Sequence, residues 1–240
     1  MNSISKNARI AGFVYLLCVL VAPYRLIYVP SALFVTGNAT ATAANIAAHE
    51  TLFRLGIFSD LLCGAIMIFL VLALYRLFEQ VDRKLGKLMV ILGGVMVPAM
   101  YFFNVLNDAA ALSLVRGAEF LSVFSKEQRD ALAFLFLHMH GMVIGAAEIL
   151  WGLWLLPLAM LVLRSGFLPR LLGYGLILNG LAYVIQSFAW ALLPSWEDAI
   201  SRVAAPFQFV EIAFMLWLLI MGARSSFRRV LDDAAAHANP

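Results

Sequence analysis

His138-Met-His140 is the pair that first suggests a metal or a haem, and its spacing argues against both. Two positions apart on an α-helix means about 200° of rotation, so the two imidazoles leave opposite sides of any helix that carries them. Glu148 lies eight residues beyond His140, roughly 12 Å of rise, which is too far for one ion whose ligand bonds are near 2 Å. His49 and His237 fall in a connection and in the C-terminal tail, so no second apolar segment offers an axial haem ligand. Glycine-rich phosphate loops, G-x-S-x-G elbows and H-E-x-x-H pairs are lacking as well, and neither a cofactor nor a metal is expected. Both His138 and His140 read as solvated groups at headgroup level. Cys18 and Cys63 each sit inside an apolar stretch and read as fillers, because two thiols make no disulfide framework.

The carboxylates are more telling. Asp60, Glu148 and Glu211 interrupt otherwise apolar stretches, as do Arg25, Gln186 and Asn104. An ionisable group at membrane depth costs about 2.5–3.5 kcal/mol, so such groups face a bundle interior or a wet cavity. Three acids and one guanidinium would be unbalanced if all were ionised. Either a carboxyl holds a proton, or a cation or amine-bearing ligand sits among them. The alternative is polar glue, with Arg25 paired to one acid and the amides bonded to the others.

The elements that must position these groups follow from composition. Of 240 residues, 63% are hydrophobic and 13% charged, and the mean hydropathy is +0.91. That excludes a water-soluble enzyme. Six blocks are long enough to cross a bilayer as helices: residues 8–29, 54–76, 86–112, 131–163, 170–193 and 203–223. The expected fold is an all-α integral membrane protein, residues 1–223 forming one six-helix domain and 224–240 a short basic, then polar, cytoplasmic tail. The first block exceeds a signal-peptide core and reads as an anchor.

Six crossings leave both termini on one side. Of the 17 basic residues, Lys6, Arg9, Arg76, Arg83, Lys84, Lys87, Arg164, Arg170, Arg224, Arg228 and Arg229 fall on that side. Arg54, Arg116, Lys126, Arg129 and Arg202 fall on or near the other. The excess makes the terminal side cytoplasmic. A net charge of +3 carried at block ends forms no stripe for a phosphate backbone, so nucleic acid is not an expected partner.

Depth can be counted from the cytoplasmic arginines. Asp60, Glu148, Arg25 and Gln186 lie about 16 residues from Arg76, Arg164, Arg9 and Arg170, or about 24 Å at the helical rise. Glu211 and Asn104 fall within about 5 Å of that level. Every span thus contributes to a polar layer in the outer third of the membrane. Asn107, Asp108 and Arg54 lie nearer the outer boundary, as lining of a cavity mouth or as solvated helix ends. Trp190 and Trp196 suit an outer aromatic belt. Pro23, Pro98 and Pro157 should kink their spans, and Gly141 to Gly145 is a small-residue packing face.

In the outer connection, Thr40 to His49 reads as a short surface helix capped by its threonine, and Asn38-Ala-Thr40 matches a sequon that matters only in a eukaryotic secretory pathway. Asp60-Leu-Leu-Cys-Gly64 and Arg76 align with Glu148-Ile-Leu-Trp-Gly152 and Arg164 at one constant offset. This is a weak parallel repeat of a helical hairpin, spans 2–3 against 4–5.

Arg9-Ile-Ala-Gly-Phe-Val-Tyr15, Phe53-Arg-Leu-Gly-Ile-Phe-Ser-Asp60, Arg164-Ser-Gly-Phe-Leu-Pro-Arg-Leu-Leu-Gly173 and Glu211-Ile-Ala-Phe-Met-Leu-Trp-Leu-Leu219 resemble a bacterial multi-pass family described as domain of unknown function 4386. The resemblance covers nearly the whole chain. It implies a multi-pass protein of the bacterial cytoplasmic (inner) membrane with about six helices, and it supplies no activity and no catalytic residues. Function therefore rests on the polar layer. The leading expectation is a protein that binds or transports a small cationic, protonatable or lipid-like ligand through Asp60, Glu148, Glu211, Arg25, Gln186 and Asn104. One alternative is an intramembrane enzyme acting on a lipid or small molecule at the outer leaflet with a divalent ion; the other is a structural subunit. The expected partners are the lipid bilayer and that ligand, and the repeat suits a monomer as well as the glycine face suits a dimer.

Overall fold

A computed structural model describes residues 3–223. The tail expected at 224–240 lies outside them. The described chain is helical: α1 (Ser3–Leu33), α2 (Ala39–Ala48), α3 (Glu50–Phe78), α4 (Arg83–Arg116), α5 (Lys126–Ser165), α6 (Arg170–Leu192) and α7 (Pro194–Met221). All but α2 are long and apolar enough to cross a membrane, with mean hydropathies of 1.4 to 2.5 over their most apolar windows. Each expected block falls within one of them, to within two residues. Phe13, Leu20, Phe69 and Phe103 are exposed on the helices that bury Arg25, Asp60 and Asp108, and Leu171 and Phe209 are exposed on α6 and α7. Apolar outside and charged inside is the distribution hydrocarbon solvent demands.

The chain divides into two compact units. Among the described residues, one contains 3–17, Ile66–Val97 and 148–223; the other contains Cys18–Ala65 and Pro98–Ala147. In the first, helices meet where side chains are smallest. A Cβ on Gly12 would lie 2.5 Å from the Leu219 backbone nitrogen, and one on Gly93 would lie 2.9 Å from the Trp154 ring. Phe78 and Phe167 stack at 5.7 Å, and Arg164 of α5 donates to Asp82, in the α3–α4 turn, at 2.6 Å. Close approach at small residues substitutes for the hydrophobic force that lipid cannot supply. Gly141 takes no part in such packing: a Cβ there would meet nothing within 4 Å. Close approach is seen instead at Gly12, Gly93 and Gly152.

The second unit has its own apolar core of Val29, Leu33, Ile46, Phe53, Ala111 and Leu137 with their neighbours. Helix α2 belongs to it, burying Thr42, Ala43 and Ile46. Its cap is Asn38, whose side chain accepts from the Ala41 amide at 2.9 Å, and not Thr40. Thr42 Oγ1 accepts from the Val35 amide and Asn45 Nδ2 donates to the Leu33 carbonyl, tying α2 to the end of α1. Gly117, at φ 65°, closes α4 in a conformation that glycine adopts without strain.

Besides Trp217–Met221 at the end of α7, two helices widen into π turns along their length, Tyr24–Tyr28 in α1 and Val90–Met96 in α4. Each ends two residues before a proline, Pro30 or Pro98. A proline has no amide to donate to the carbonyl four residues back and its ring crowds that carbonyl, so the preceding turn opens. Pro30, just past the expected end of the first span, is thus the proline that matters alongside Pro98, whereas Pro157 lies within uninterrupted α5.

Candidate functional site: a buried charge cluster

The π turn of α1 carries Arg25, turned inward and 2% exposed. Gly56 of α3 makes room for its stem: a Cβ at that position would lie 3.1 Å from Arg25 Cδ. The guanidinium sits 5.6 Å over the Phe34 ring, in reach of a cation–π attraction. Its fork meets Asp108 of α4, Nε and Nη2 each donating to one carboxylate oxygen at 2.7 Å. Such a bidentate pair is the strongest geometry these two groups can adopt. Asp108 is wholly buried. It is the partner of Arg25, and the reading of Asp108 as a cavity mouth or a solvated helix end is corrected.

His140 of α5 completes the cluster. Its Nδ1 lies 3.4 Å from Asp108 Oδ1 and its Nε2 lies 3.7 Å from Asp60 Oδ2. These separations lie beyond hydrogen-bond geometry, and both ring nitrogens and Asp60 Oδ2 lack a hydrogen-bond partner. At 3% and 1% exposed, His140 and Asp60 are shielded as well. His138 is exposed, whereas His140 is buried, so the reading of His140 as a solvated group is corrected. Asn104, one turn before Asp108, donates to the His140 carbonyl at 3.2 Å and accepts from Asn107 at 3.0 Å. The cluster therefore draws Arg25, Asp60, Asn104, Asp108 and His140 from four helices. With His140 neutral its formal charge is −1.

Of the residues expected to bind ligand, the structure brings Asp60, Arg25 and Asn104 together in this unit. Glu211, Glu148 and Gln186 belong to the other. There Glu211 accepts hydrogen bonds from Tyr15, from Asn179 at 2.8 Å and from Tyr183. Glu148 is half-buried with the like charge of Glu197 acting on it, and Gln186 buries a carbonyl oxygen that has no partner. Cys18 and Cys63 do more than fill space: their sulfurs approach to 3.5 Å, although 45 residues separate them.

Asp108 and His140 are the residues that sequence reasoning left out of the ligand-binding set. One signal pointed to Asp108: with Asn104 and Asn107 it forms an i, i+3, i+4 polar face on an otherwise apolar helix. A family model described as domain of unknown function (DUF4386) matches residues 10–222. No curated protein and no solved structure matches the chain.

Proposed function

The chain belongs to this family, and from its charge cluster we propose that it is a bacterial inner-membrane protein of transport type that binds a small cation, the proton, between Asp60 and His140. The observation that carries the reading is the unsatisfied contact between Asp60 Oδ2 and His140 Nε2. A buried acceptor facing a buried ring nitrogen, neither with a partner, costs about 1–3 kcal/mol for each group left unpaired. One proton placed between them removes both penalties and brings the cluster from −1 to neutral. Arg25 and Asp108 then have a defined task. Asp108, fixed by the fork, faces Nδ1 and sets the ring orientation, leaving Nε2 toward Asp60, as an orienting carboxylate does for a histidine that carries a proton or a metal. Closing 3.7 Å to a charge-assisted bond of about 2.8 Å draws α3 and α5 together, which gives proton binding a mechanical consequence.

The test is proton uptake by purified protein in lipid nanodiscs, followed with a pH indicator after a pH jump. Wild type should take up one proton more per chain than Asp60→Asn or His140→Gln. Equal uptake by all three, with the variants folded by size exclusion, defeats the reading.

A second reading rests on the ligand atoms of Asp60, Asp108 and His140, which all lie within 4.8 Å of one another and so could hold one divalent ion. That ion would leave the cluster at +1 beside the Arg25 guanidinium, whereas a proton leaves it neutral, and the charge balance favours the proton. Stoichiometric metal after purification, lost in Asp60→Asn, would reverse that choice and support the enzyme alternative.

A further inference from the structure

The chain has two cysteines in 240 residues, and the fold brings them together. Cys18 of α1 is half-buried, Cys63 of α3 is buried, and neither is in a disulfide. Tyr101 of α4 hydrogen-bonds Cys63, so a polar group holds that sulfur on the side of α4. The two Sγ atoms are 3.5 Å apart, at van der Waals contact, and bond formation requires about 1.5 Å of further approach, within reach of side-chain rotation and small helix shifts. Helical spacing ties the pair to the charge cluster. Cys63 is three residues beyond Asp60, and Cys18 is two turns before Arg25.

We propose that Cys18 and Cys63 form a redox-active dithiol that closes to a disulfide by reducing a small apolar quinone. The chemistry balances. Both S–H bonds break, one S–S bond forms, and the two electrons and two protons convert the two quinone carbonyls to the hydroxyls of a quinol. The location selects the oxidant: both sulfurs lie within membrane-spanning helices, Cys63 buried and Cys18 half-buried, so an acceptor that meets the pair at Cys18 is one that dissolves in lipid. The bond ties α1 to α3 close to Arg25 and Asp60, on the helices that carry those two residues. Oxidation therefore restrains the two helices against each other one turn from Asp60 and two turns from Arg25. This inference stands independently of proton binding.

The experiment uses the full chain in lipid nanodiscs under anaerobic conditions, with tetramethyl-1,4-benzoquinone as the probe because its substituted ring resists thiol addition. After exposure and denaturation, remaining thiols are counted with a maleimide, disulfide-linked peptides are sought by mass spectrometry, and quinol is measured by absorbance. Wild type should lose both reactive thiols, yield a Cys18–Cys63 peptide and form one quinol per chain. Cys18→Ser and Cys63→Ser should each keep their remaining thiol and form none. Two intact thiols in wild type after both the quinone and diamide would overturn the dithiol. Closure by diamide without quinol formation would overturn the quinone. Cross-linking between chains in place of the internal peptide would overturn the pairing itself.

Discussion

Replacing Asp108 by asparagine separates the fold's dependence on the charge cluster from its dependence on any one acid. The carboxylate accepts both arms of the Arg25 fork at 2.7 Å, and the two side chains are 3% and 0% exposed. Asparagine keeps the shape and one acceptor but removes the charge, leaving a buried guanidinium without its counter-ion. Breaking a buried pair from one side costs about 3–5 kcal/mol, which is roughly two to four powers of ten in the unfolding equilibrium. Asp60→Asn is the internal control, since Asp60 Oδ2 accepts no hydrogen bond; its cost should stay under about 1 kcal/mol. Unfolding both variants by sodium dodecyl sulfate titration in mixed micelles, followed by far-ultraviolet circular dichroism, measures the difference. The double variant Arg25→Met, Asp108→Leu should recover most of the loss, because two apolar side chains carry no stranded charge. An Asp108→Asn protein within about 0.5 kcal/mol of wild type, or a double variant worse than the single, would refute the claim that this pair is fully desolvated.

Glycine substitutions should divide by packing. A Cβ on Gly152 would overlap the Gly180 carbonyl oxygen and lie 2.6 Å from Val184 Cγ2, so Gly152→Ala should cost about 1–3 kcal/mol in the same titration. Gly141→Ala meets open space and should be neutral or stabilising by up to about 1 kcal/mol. Asp82, between α3 and α4, should make stability pH-dependent: the Leu85 amide, then the Lys84 amide and the Arg164 guanidinium, hold its carboxyl below the ordinary value of 3.8. A depressed acid contributes stability above its unfolded pKa, and that contribution is lost as pH falls through the folded one. The Tm gap between wild type and Asp82→Ala should therefore hold at neutral pH and shrink progressively as pH is taken below 3.8; a gap that persists undiminished into strong acid would contradict it.

The helices were legible because hydrocarbon imposes one rule on every span, and a block of about 20 apolar residues has no other use. Depth counting grouped Asp60, Arg25 and Asn104, and all three are buried in the same unit around Asp108 and His140. It failed for His140 because it measured from Arg164 along a helix of 40 residues, longer than a bilayer requires, and took distance from the far end for exposure to headgroups. Neighbouring elements bury that end: Leu137 and Ala133 of α5 pack with Ile46 of α2 and Phe53 of α3. The pairing of Arg25 with Asp108 spans 83 residues and has no periodic signature, so charge alone left Arg25 with several acids to choose from. The Asn38 cap was hidden behind a sequon reading. Cys18 and Cys63 were invisible as a pair, since each looked like its apolar surroundings.

The π turns bear on how this chain tolerates changes of length. A π turn holds one residue more than an α turn, so removing Ile27 from Tyr24–Tyr28 can restore an α turn while leaving the flanking faces in register. The same deletion in the uninterrupted helix Lys126–Ser165 would rotate everything beyond it by about 100°. The wide turn that presents Arg25 is thus a place where the chain can shorten by one residue without exchanging its lipid face for its polar one.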